Sequence, residues 1–134
     1  MRLIIRVLAF ALASLPLVND AYARDAACLA FDGAIIVDSE GNYLGKVASR
    51  YDSDSIFNKY GTYGSKYNSE SIWNKYGEFG NPYGLNTWSN KFATDPPMIV
   101  RNRQVIGILT VNRSVAGAVS PILLGVMCFD YEPD

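Results

Sequence analysis

A sixteen-residue segment repeated in tandem is the feature that most constrains this chain. The first copy, YDSDSIFNKYGTYGSK, starts at Tyr51, and the second, YNSESIWNKYGEFGNP, starts at Tyr67. Nine of their sixteen positions are identical, and a degraded third copy starts at Tyr83. A fixed period is typical of structural units that bury a hydrophobic face only by packing on the next unit. We therefore predict a repeat block over residues 51–93 in which each copy packs on its neighbour.

Two local structures are compatible with the residues of one copy. Asp52 and Asn68 are favoured helix N-caps, and Gly61 and Gly77 suit the left-handed residue that ends a helix. The residues between them would form about two helical turns. The competing interpretation is a series of Gly/Ser/Asn turns with short strands. We favour short helices joined by turns.

Aromatic side chains largely replace aliphatic ones in the repeat block. Between Tyr51 and Phe92 there are eleven aromatic residues but only three branched aliphatic residues. Aromatic rings can fill a small core, or they can stack on a ligand such as a carbohydrate or a peptide. Packing of rings between copies is the favoured interpretation, and a ligand surface is the alternative. The candidate residues of such a surface are Tyr60, Trp73, Tyr76 and Trp88.

The segments on either side of the repeats look like two copies of one β-hairpin. Residues 34–47 and 98–112 each contain a β-branched run, a polar turn and a second apolar run. Gly45 and Gly107 stand at equivalent points of the second runs, where a glycine marks a bulge or close backbone approach, or is tolerated at an edge. The uncharged region 115–129 predicts a buried strand, followed by a frayed polar end.

These segments together predict a β-rich α+β fold. We expect a small antiparallel sheet formed by the two similar hairpins and the C-terminal strand. The repeat block would then be a long excursion of short helices and turns between the two hairpins.

The N-terminus has the features of a secretory signal peptide in the expected order. Arg2 and Arg6 precede an apolar run over residues 7–15, and Ala21-Tyr22-Ala23 is a small-x-small cleavage site. The apolar run is too short to span a membrane. We predict a signal peptide over 1–23 and a single domain over 24–134 without a membrane span, located in the periplasm or outside the cell.

Export changes the interpretation of the two cysteines, Cys28 and Cys128. Two cysteines in an oxidising compartment usually pair. A bridge between them would close a loop of about 100 residues and stabilise the fold by restricting the unfolded chain. Two unpaired buried thiols are the alternative. We predict the Cys28–Cys128 disulfide.

Composition excludes several functional classes. The chain has no histidine, which is the commonest general base and a usual ligand of catalytic zinc. Its 12 Lys+Arg and 13 Asp+Glu give a net charge of −1, which provides no basic face for nucleic acid. We expect no metal, no cofactor and no nucleic-acid partner. Paired carboxylates are the one catalytic arrangement left, and two of them suffice for hydrolysis of a glycosidic bond.

The repeat and its flanks resemble a group of small bacterial exported proteins. The resemblance is carried by SIFNKYGTYGSKY and SIWNKYGEFG, between VDSEGNYLG and PPMIV…IGILTVN, and it covers about residues 34–112. Members of the group carry tandem S-I-x-N-x-Y-G-x-Y-G-S units between two hairpin-like segments. The third copy departs from this pattern, because Trp88 and Ser89 replace the Ile–aromatic pair. The resemblance implies no activity and no functional residue.

We therefore favour an exported, non-catalytic module whose aromatic/Asn/Gly repeat has a binding or structural role in the cell envelope or outside the cell. Its candidate partner is a cell-envelope protein or a carbohydrate. The alternatives are a small hydrolase that uses paired carboxylates and a carbohydrate-binding protein.

Overall fold

A five-stranded sheet and two short helices flank the repeat block in the computed structural model, which describes residues 20–134. In chain order the elements are α1 (Asp20–Phe31), β1 (Ile35–Val37), β2 (Tyr43–Lys46), β3 (Met98–Arg101), β4 (Gln104–Leu109), β5 (Ala118–Val119) and α2 (Pro121–Cys128). The predicted β-rich α+β class is confirmed. Most of the predicted signal peptide lies outside the described residues. Within residues 20–134, no helix is both long and apolar enough to cross a membrane.

The strands before the repeat block lie beside the strands after it. The strand order is β2-β1-β3-β4-β5, and β1 pairs antiparallel with both β2 and β3. Ile36 of β1 is opposite Ile99 of β3. β3 continues into β4 through a two-residue turn at Asn102 and Arg103, both of which have positive φ. This turn geometry matches the twist of antiparallel strands.

The sheet is mixed, whereas the sequence predicted an antiparallel one, because β5 runs parallel to β4. After β4 the chain is held against the third repeat copy. The Val111 N–H donates to the Trp88 carbonyl oxygen at 2.9 Å, and Asn112 Nδ2 donates to the Ala93 carbonyl oxygen at 2.9 Å. The chain returns to the sheet edge only at Ala118, and parallel pairing requires such a longer connection.

The predicted C-terminal strand is wrong for the residues after β5, which form the helix α2. Ser120 is the N-cap, and its side chain accepts a hydrogen bond from the Leu123 N–H. Pro121 follows in the first turn, where proline is favoured in helices. The helix buries Leu124, while Leu123 and Met127 are exposed. Because its exposed face is also apolar, the sequence shows no amphipathic period by which to recognise a helix.

The repeat block consists of turns and contains no helix, so the predicted short helices are wrong. Backbone hydrogen bonds join residues three apart, as from the Ser55 N–H to the Asp52 carbonyl oxygen. We call the residue whose carbonyl oxygen accepts such a bond, for example Asp52 or Asn58, a turn corner. The side chain of a corner residue also accepts a hydrogen bond from the N–H two positions later: Asp52 accepts from Asp54, and Asn58 accepts from Tyr60. Such bonds compete with helix formation. A polar corner at every third residue starts a new turn before a helix can elongate.

Successive turn corners are three residues apart, except that each of the first two copies contains one step of four residues between corners. In the first copy the step ends at Ser65, whose N–H donates to the Gly61 carbonyl oxygen at 3.1 Å. Gly64 lies so close to the Asn58 carbonyl group that a Cβ atom would overlap it, and Gly80 has the same crowded position in the second copy. Glycine is therefore required at this point of the turn.

The core lies between the sheet and the repeat block. Its fully buried aliphatic side chains include Ile36, Leu44, Ile99 and Leu109 from the sheet and Ile56 and Ile72 from the repeats. Ile56 and Ile72 occupy the same position of successive copies. Burial of one such side chain contributes about 1.5–3 kcal/mol, so each of these copies adds one aliphatic anchor to the core.

A disulfide joins Cys28 of α1 to Cys128 at the end of α2, and their Cα atoms are 5.4 Å apart. The predicted pairing is confirmed. The bond links the two ends of the described chain across a sequence separation of 100 residues. A disulfide fits a protein located outside the reducing cytoplasm.

Gly45 combines a strand irregularity with a close approach of the repeat block. The β1–β2 register shifts between Ile35 and Val37, and the φ angle of Gly45 is 113°. A Cβ atom at Gly45 would lie 2.7 Å from the Tyr63 Cβ atom and 2.9 Å from the Ile56 Cγ2 atom. Glycine supplies both the backbone conformation and the space.

We expect Gly45→Ala to destabilise the protein more than Gly41→Ala. Gly41 also has a positive φ, but its surroundings are open. Both substitutions incur a backbone strain of about 1–2 kcal/mol, and only Gly45→Ala adds overpacking of about 1–3 kcal/mol. Urea unfolding followed by circular dichroism measures the difference. An equal loss in the two variants would show that the repeat block does not crowd β2.

Candidate functional site

The turn corners determine which aromatic rings reach solvent. The first and the tenth residue of each copy follow a Ser or Asn corner by two positions, as Tyr60 follows Asn58. The Tyr60 N–H donates to Asn58 Oδ1 at 3.1 Å, and the side chains of Tyr60 and its equivalent Tyr76 are 100% exposed. The exposed rings at these two positions are Tyr51, Tyr67 and Tyr83, and Tyr60, Tyr76 and Phe92.

The seventh residue of the first copy, Phe57, is directed into the core. Its N–H donates to Ser55 Oγ at 2.9 Å, and the Ser55 hydroxyl in turn donates to the Ala48 carbonyl oxygen at 2.7 Å. Ser55 is completely buried. The buried corner Ser55 thus places its following ring in the core, whereas the half-buried corners Asn58 and Asn74 place Tyr60 and Tyr76 in water.

The two tryptophans of the predicted ligand surface join successive copies. Trp73 Nε1 donates to the Ile56 carbonyl oxygen at 2.5 Å, and Trp88 Nε1 donates to the Ile72 carbonyl oxygen at 2.6 Å. Their rings meet edge to face, with centroids 5.2 Å apart. Trp88 is buried, and Trp73 remains partly exposed. Both indole N–H groups are thus used within the fold.

Two grooves of equivalent construction open along the first and second copies. The first groove has a volume of about 620 Å³ and the second a volume of about 840 Å³. Each residue that the first copy or its preceding residue contributes to the first groove has a counterpart sixteen positions later in the second groove. The pairs are Arg50 and Lys66, Tyr51 and Tyr67, Phe57 and Trp73, Asn58 and Asn74, Lys59 and Lys75, and Tyr60 and Tyr76.

Of the four predicted ligand residues, Tyr60 therefore lines the first groove, and the other three line the second. Trp73 and Trp88 lie towards the core side of the second groove, and Tyr76 is at its exposed side. The structure brings these residues to two neighbouring grooves and not to one common site.

Tyr131 separates the two grooves, so the C-terminal end is not the frayed segment that its polarity indicates. The Tyr131 side chain lines both grooves and is largely buried. Its ring stacks on Trp73 with centroids 5.0 Å apart and lies 5.3 Å from the Phe57 ring. The Tyr131 N–H donates to the Gly125 carbonyl oxygen at 3.1 Å. The end of α2 thus positions the chain that follows it.

The Asp134 carboxylate lies between lysines of the first copy. It accepts a hydrogen bond from Lys59 Nζ at 2.9 Å and is 3.5 Å from Lys66 Nζ. The hydrogen bond from Lys59, followed by the charges of both lysines, lowers the pKa of Asp134. The charge of Asp134 in turn raises the pKa of Lys66. All three side chains are exposed, so this arrangement is open to competing anions.

The charges that line the grooves are segregated by their origin. Those from the repeat region are all cations, namely Arg50, Lys59, Lys66 and Lys75. Those from the C-terminal segment are all acids, namely Asp130, Glu132 and Asp134. Acids of the repeat lie elsewhere: Asp52 is 2.6 Å from Lys46 Nζ, and Asp54 accepts a hydrogen bond from the Tyr43 hydroxyl at 3.0 Å.

The recurring asparagines hold the turns. Asn58 Oδ1 accepts the Tyr60 N–H, and Asn58 Nδ2 donates to the Asp52 carbonyl oxygen at 3.2 Å. Asn74 and Asn90 make the equivalent two bonds in the second and third copies. Their amides support the backbone that presents the exposed rings.

The sequence-based interpretation misses the basic residues that precede the copies, and it misses Tyr131. Arg50 and Lys66 carry a usable signal, because they share the sixteen-residue spacing of the tyrosines that follow them. Tyr131 carries no such signal. Its place between the grooves depends on α2, which the sequence predicts as a strand.

Carboxylates come together in the first groove, where both Asp130 and Glu132 line the wall. A metal centre is a different matter. Across residues 20–134, no group of three or more His, Cys, Asp or Glu side chains is placed to hold a metal ion. The groove chemistry available in this part of the chain is therefore that of aromatic rings, side-chain amides, ammonium and guanidinium groups, and a few carboxylates.

We expect alkaline pH to weaken the packing of Tyr131. Burial, with a smaller contribution from the Asp134 charge, raises the pKa of Tyr131 to about 12. Because an unfolded tyrosine has a pKa of about 10, this contribution is fully present below about pH 10 and is lost as the pH rises through about 12. It amounts to about 2–3 kcal/mol.

Urea unfolding at pH 9 and pH 11.5 tests this expectation, with Tyr131→Phe as the comparison. The variant should lose less stability between the two pH values than the parent protein. Tyr43, whose pKa burial also raises to about 12, contributes equally to both proteins. An identical pH dependence in the two would contradict the expectation.

No protein-family model, curated protein or solved structure matches this chain. We therefore derive its function from the two grooves, the exposed rings beside them and the disulfide.

Proposed function

We propose that this chain is an exported, non-catalytic module that binds an extended polymer of the cell envelope or its surroundings through the two grooves. The predicted signal peptide over residues 1–23 and the Cys28–Cys128 disulfide support a location in the periplasm or outside the cell. The candidate partner remains a cell-envelope protein or a carbohydrate.

The observation that carries the proposal is the complete exposure of Tyr60 and Tyr76 at equivalent groove positions. Neither ring contributes to the core, so the fold does not account for them. Each ring borders a groove, and contiguous exposed apolar surface marks interaction sites. Tyrosine is also well suited to binding, because it offers a large contact area with few rotatable bonds.

The backbone that carries these rings is prepared for binding. The N–H of each tyrosine is fixed by the Asn side chain two residues earlier, at 3.1 Å for Tyr60 and 3.0 Å for Tyr76. A preorganised surface loses less conformational entropy when a ligand binds. Two equivalent grooves also favour a ligand that engages both, since linked contacts raise the overall affinity.

We expect the double variant Tyr60→Ala/Tyr76→Ala to stay folded and to lose binding. Each substitution at such an exposed position changes stability by about 0.5 kcal/mol or less. Each ring contact is worth about 0.5–1.5 kcal/mol, so affinity should fall roughly tenfold or more. The measurements are a thermal melt and retention on cellulose, chitin, peptidoglycan and gelled polygalacturonate.

The matched control is Tyr83→Ala/Phe92→Ala. These exposed rings occupy the equivalent positions of the third copy and line neither groove. The control should melt like the parent protein and be retained on the same polymer. Unfolding of the Tyr60/Tyr76 variant at ambient temperature, or equal retention of both double variants, would count against the proposal.

A hydrolase is the second candidate, and one observation favours it. Asp130 and Glu132 line the same groove, and two carboxylates flanking a glycosidic bond are the minimum for its hydrolysis. If this candidate is right, the parent protein releases reducing ends from a bound polymer, and Asp130→Asn or Glu132→Gln stops the release without loss of binding. We expect no release from the parent protein in a reducing-sugar assay, as the binding proposal requires.

A further inference from the structure

The chain is nearly neutral overall, but its charged side chains are unevenly distributed around the grooves. Each groove receives two cations from the repeat region, Arg50 and Lys59 in the first and Lys66 and Lys75 in the second. The repeat contributes no acid to either groove. In the first groove Asp130 and Glu132 offset the two cations, whereas in the second groove Lys66 and Lys75 face Asp134 alone among the lining acids. The second groove and its boundary with the first therefore complement an anion.

Asp134 shows what kind of anion the boundary between the grooves accepts. Its carboxylate is held by Lys59 and Lys66, which border different grooves. The lysines thus converge on one carboxylate, and the side chains involved are exposed. A carboxylate of a ligand can take the same position if it displaces Asp134, because exposed ion pairs are weak.

The neutral part of the grooves suits a sugar ring. Tyr60 and Tyr76 present completely exposed phenol rings, and such faces stack on apolar C–H surfaces. A peptide that binds by adding a strand needs free backbone groups on the protein. In the grooves, the N–H groups of the tyrosines are instead occupied by Ser or Asn side chains. Stacking faces beside ammonium groups favour a carboxylated sugar over an acidic peptide.

The equivalence of the grooves adds a requirement on the length of the ligand. Residues sixteen positions apart in the sequence form the same surface twice, and Tyr131 borders both copies. Two neighbouring sites that share the same cation and tyrosine positions are matched by a molecule that presents the same group repeatedly. A polymer of acidic sugars has this property, since each unit carries one ring face and one carboxylate.

We infer that the two grooves bind one chain of an acidic polysaccharide built from uronic-acid sugars, with ring faces on the exposed tyrosines and carboxylates at the lysines. The inference rests on the proposed binding function and names its ligand class. The Asp134 carboxylate acts as an internal competitor at the boundary between the grooves.

Isothermal titration calorimetry with oligogalacturonates and oligomannuronates of two to ten units tests this inference on the full, disulfide-bonded protein. The matched comparison is the methyl-esterified oligogalacturonate, which keeps the sugar chain and loses the charge. Binding of the free acid should be at least about tenfold tighter than binding of the ester. Affinity should rise by at least about tenfold once the oligomer is long enough to reach both grooves.

Two pairs of variants separate the groove contacts from general charge effects. Asp134→Asn should raise the affinity for the free acid about two- to fivefold, because it removes the internal competitor. Glu78→Gln changes the net charge equally but lies outside both grooves, so the affinity should stay as in the parent protein. Tyr60→Ala should remove the gain with length and retain binding of short oligomers in the second groove, whereas Tyr83→Ala should change neither.

Each contrary result has a distinct meaning. If neither uronate binds, or if the methyl ester binds as tightly as the free acid, the acidic-polysaccharide inference is wrong. Equal binding of poly-L-glutamate with the same dependence on Tyr60 and Tyr76 would also overturn it, in favour of an acidic peptide. The proposed binding function survives these outcomes if chitin, cellulose or peptidoglycan is retained through the same tyrosines, and it fails if no polymer is.

Discussion

A hydrogen bond from a backbone N–H to the Ser, Asp or Asn side chain two residues earlier is the interaction on which this structure depends. It recurs through the repeat block at intervals of three residues, as at Asp52, Ser55 and Asn58. It satisfies the N–H groups of residues that belong to neither a helix nor a strand. Because the corners are spaced regularly, it also decides which side chains face the core and which face water. Together with the backbone hydrogen bonds of the turns and the buried Ile56 and Ile72, it holds the block between β2 and β3 in place.

The aromatic residues are divided between two tasks by this arrangement. Phe57, Trp73 and Trp88 supply the ring contacts that a small sheet with short strands cannot supply, and Phe129 and Tyr131 extend the same cluster. The rings at the first and tenth positions of each copy do not take part in it. The prediction that rings pack between copies therefore describes the tryptophans, while the alternative of an exposed surface describes the tyrosines.

Features that leave a direct signal in composition, repetition or cysteine count could be predicted from the sequence. The repeat, the β-rich class and the Cys28–Cys128 bond each leave a signal in residue spacing or composition. The turns of the repeat are the less favoured of the two local predictions, because Asp52 and Asn68 look the same whether they begin a helix or a turn. The two cases are distinguished only by the polar residues that follow Asp52 at intervals of three, namely Ser55 and Asn58.

Features without such a signal, which depend on contacts between distant segments, could not be predicted. The parallel pairing of β5 requires the contact of Val111 with Trp88, and the site of Tyr131 requires the end of α2 beside Trp73. The sequence predicts Tyr60 and Tyr76 as candidate site residues, but it does not predict that they line two different grooves. The acids that line the grooves come from the C-terminal segment, more than 50 residues after the basic residues, so no local pattern connects them.

The separation of corner residues from displayed residues has a consequence for how such a protein can change. A substitution at Ser55 or Asn58 removes a bond that the turns need, whereas Tyr60 and Tyr76 contribute nothing to the core. The displayed positions are therefore free to vary during evolution while the supporting backbone persists. Related chains with the same corners and other side chains at these positions would be expected to share the scaffold and differ in what they recognise.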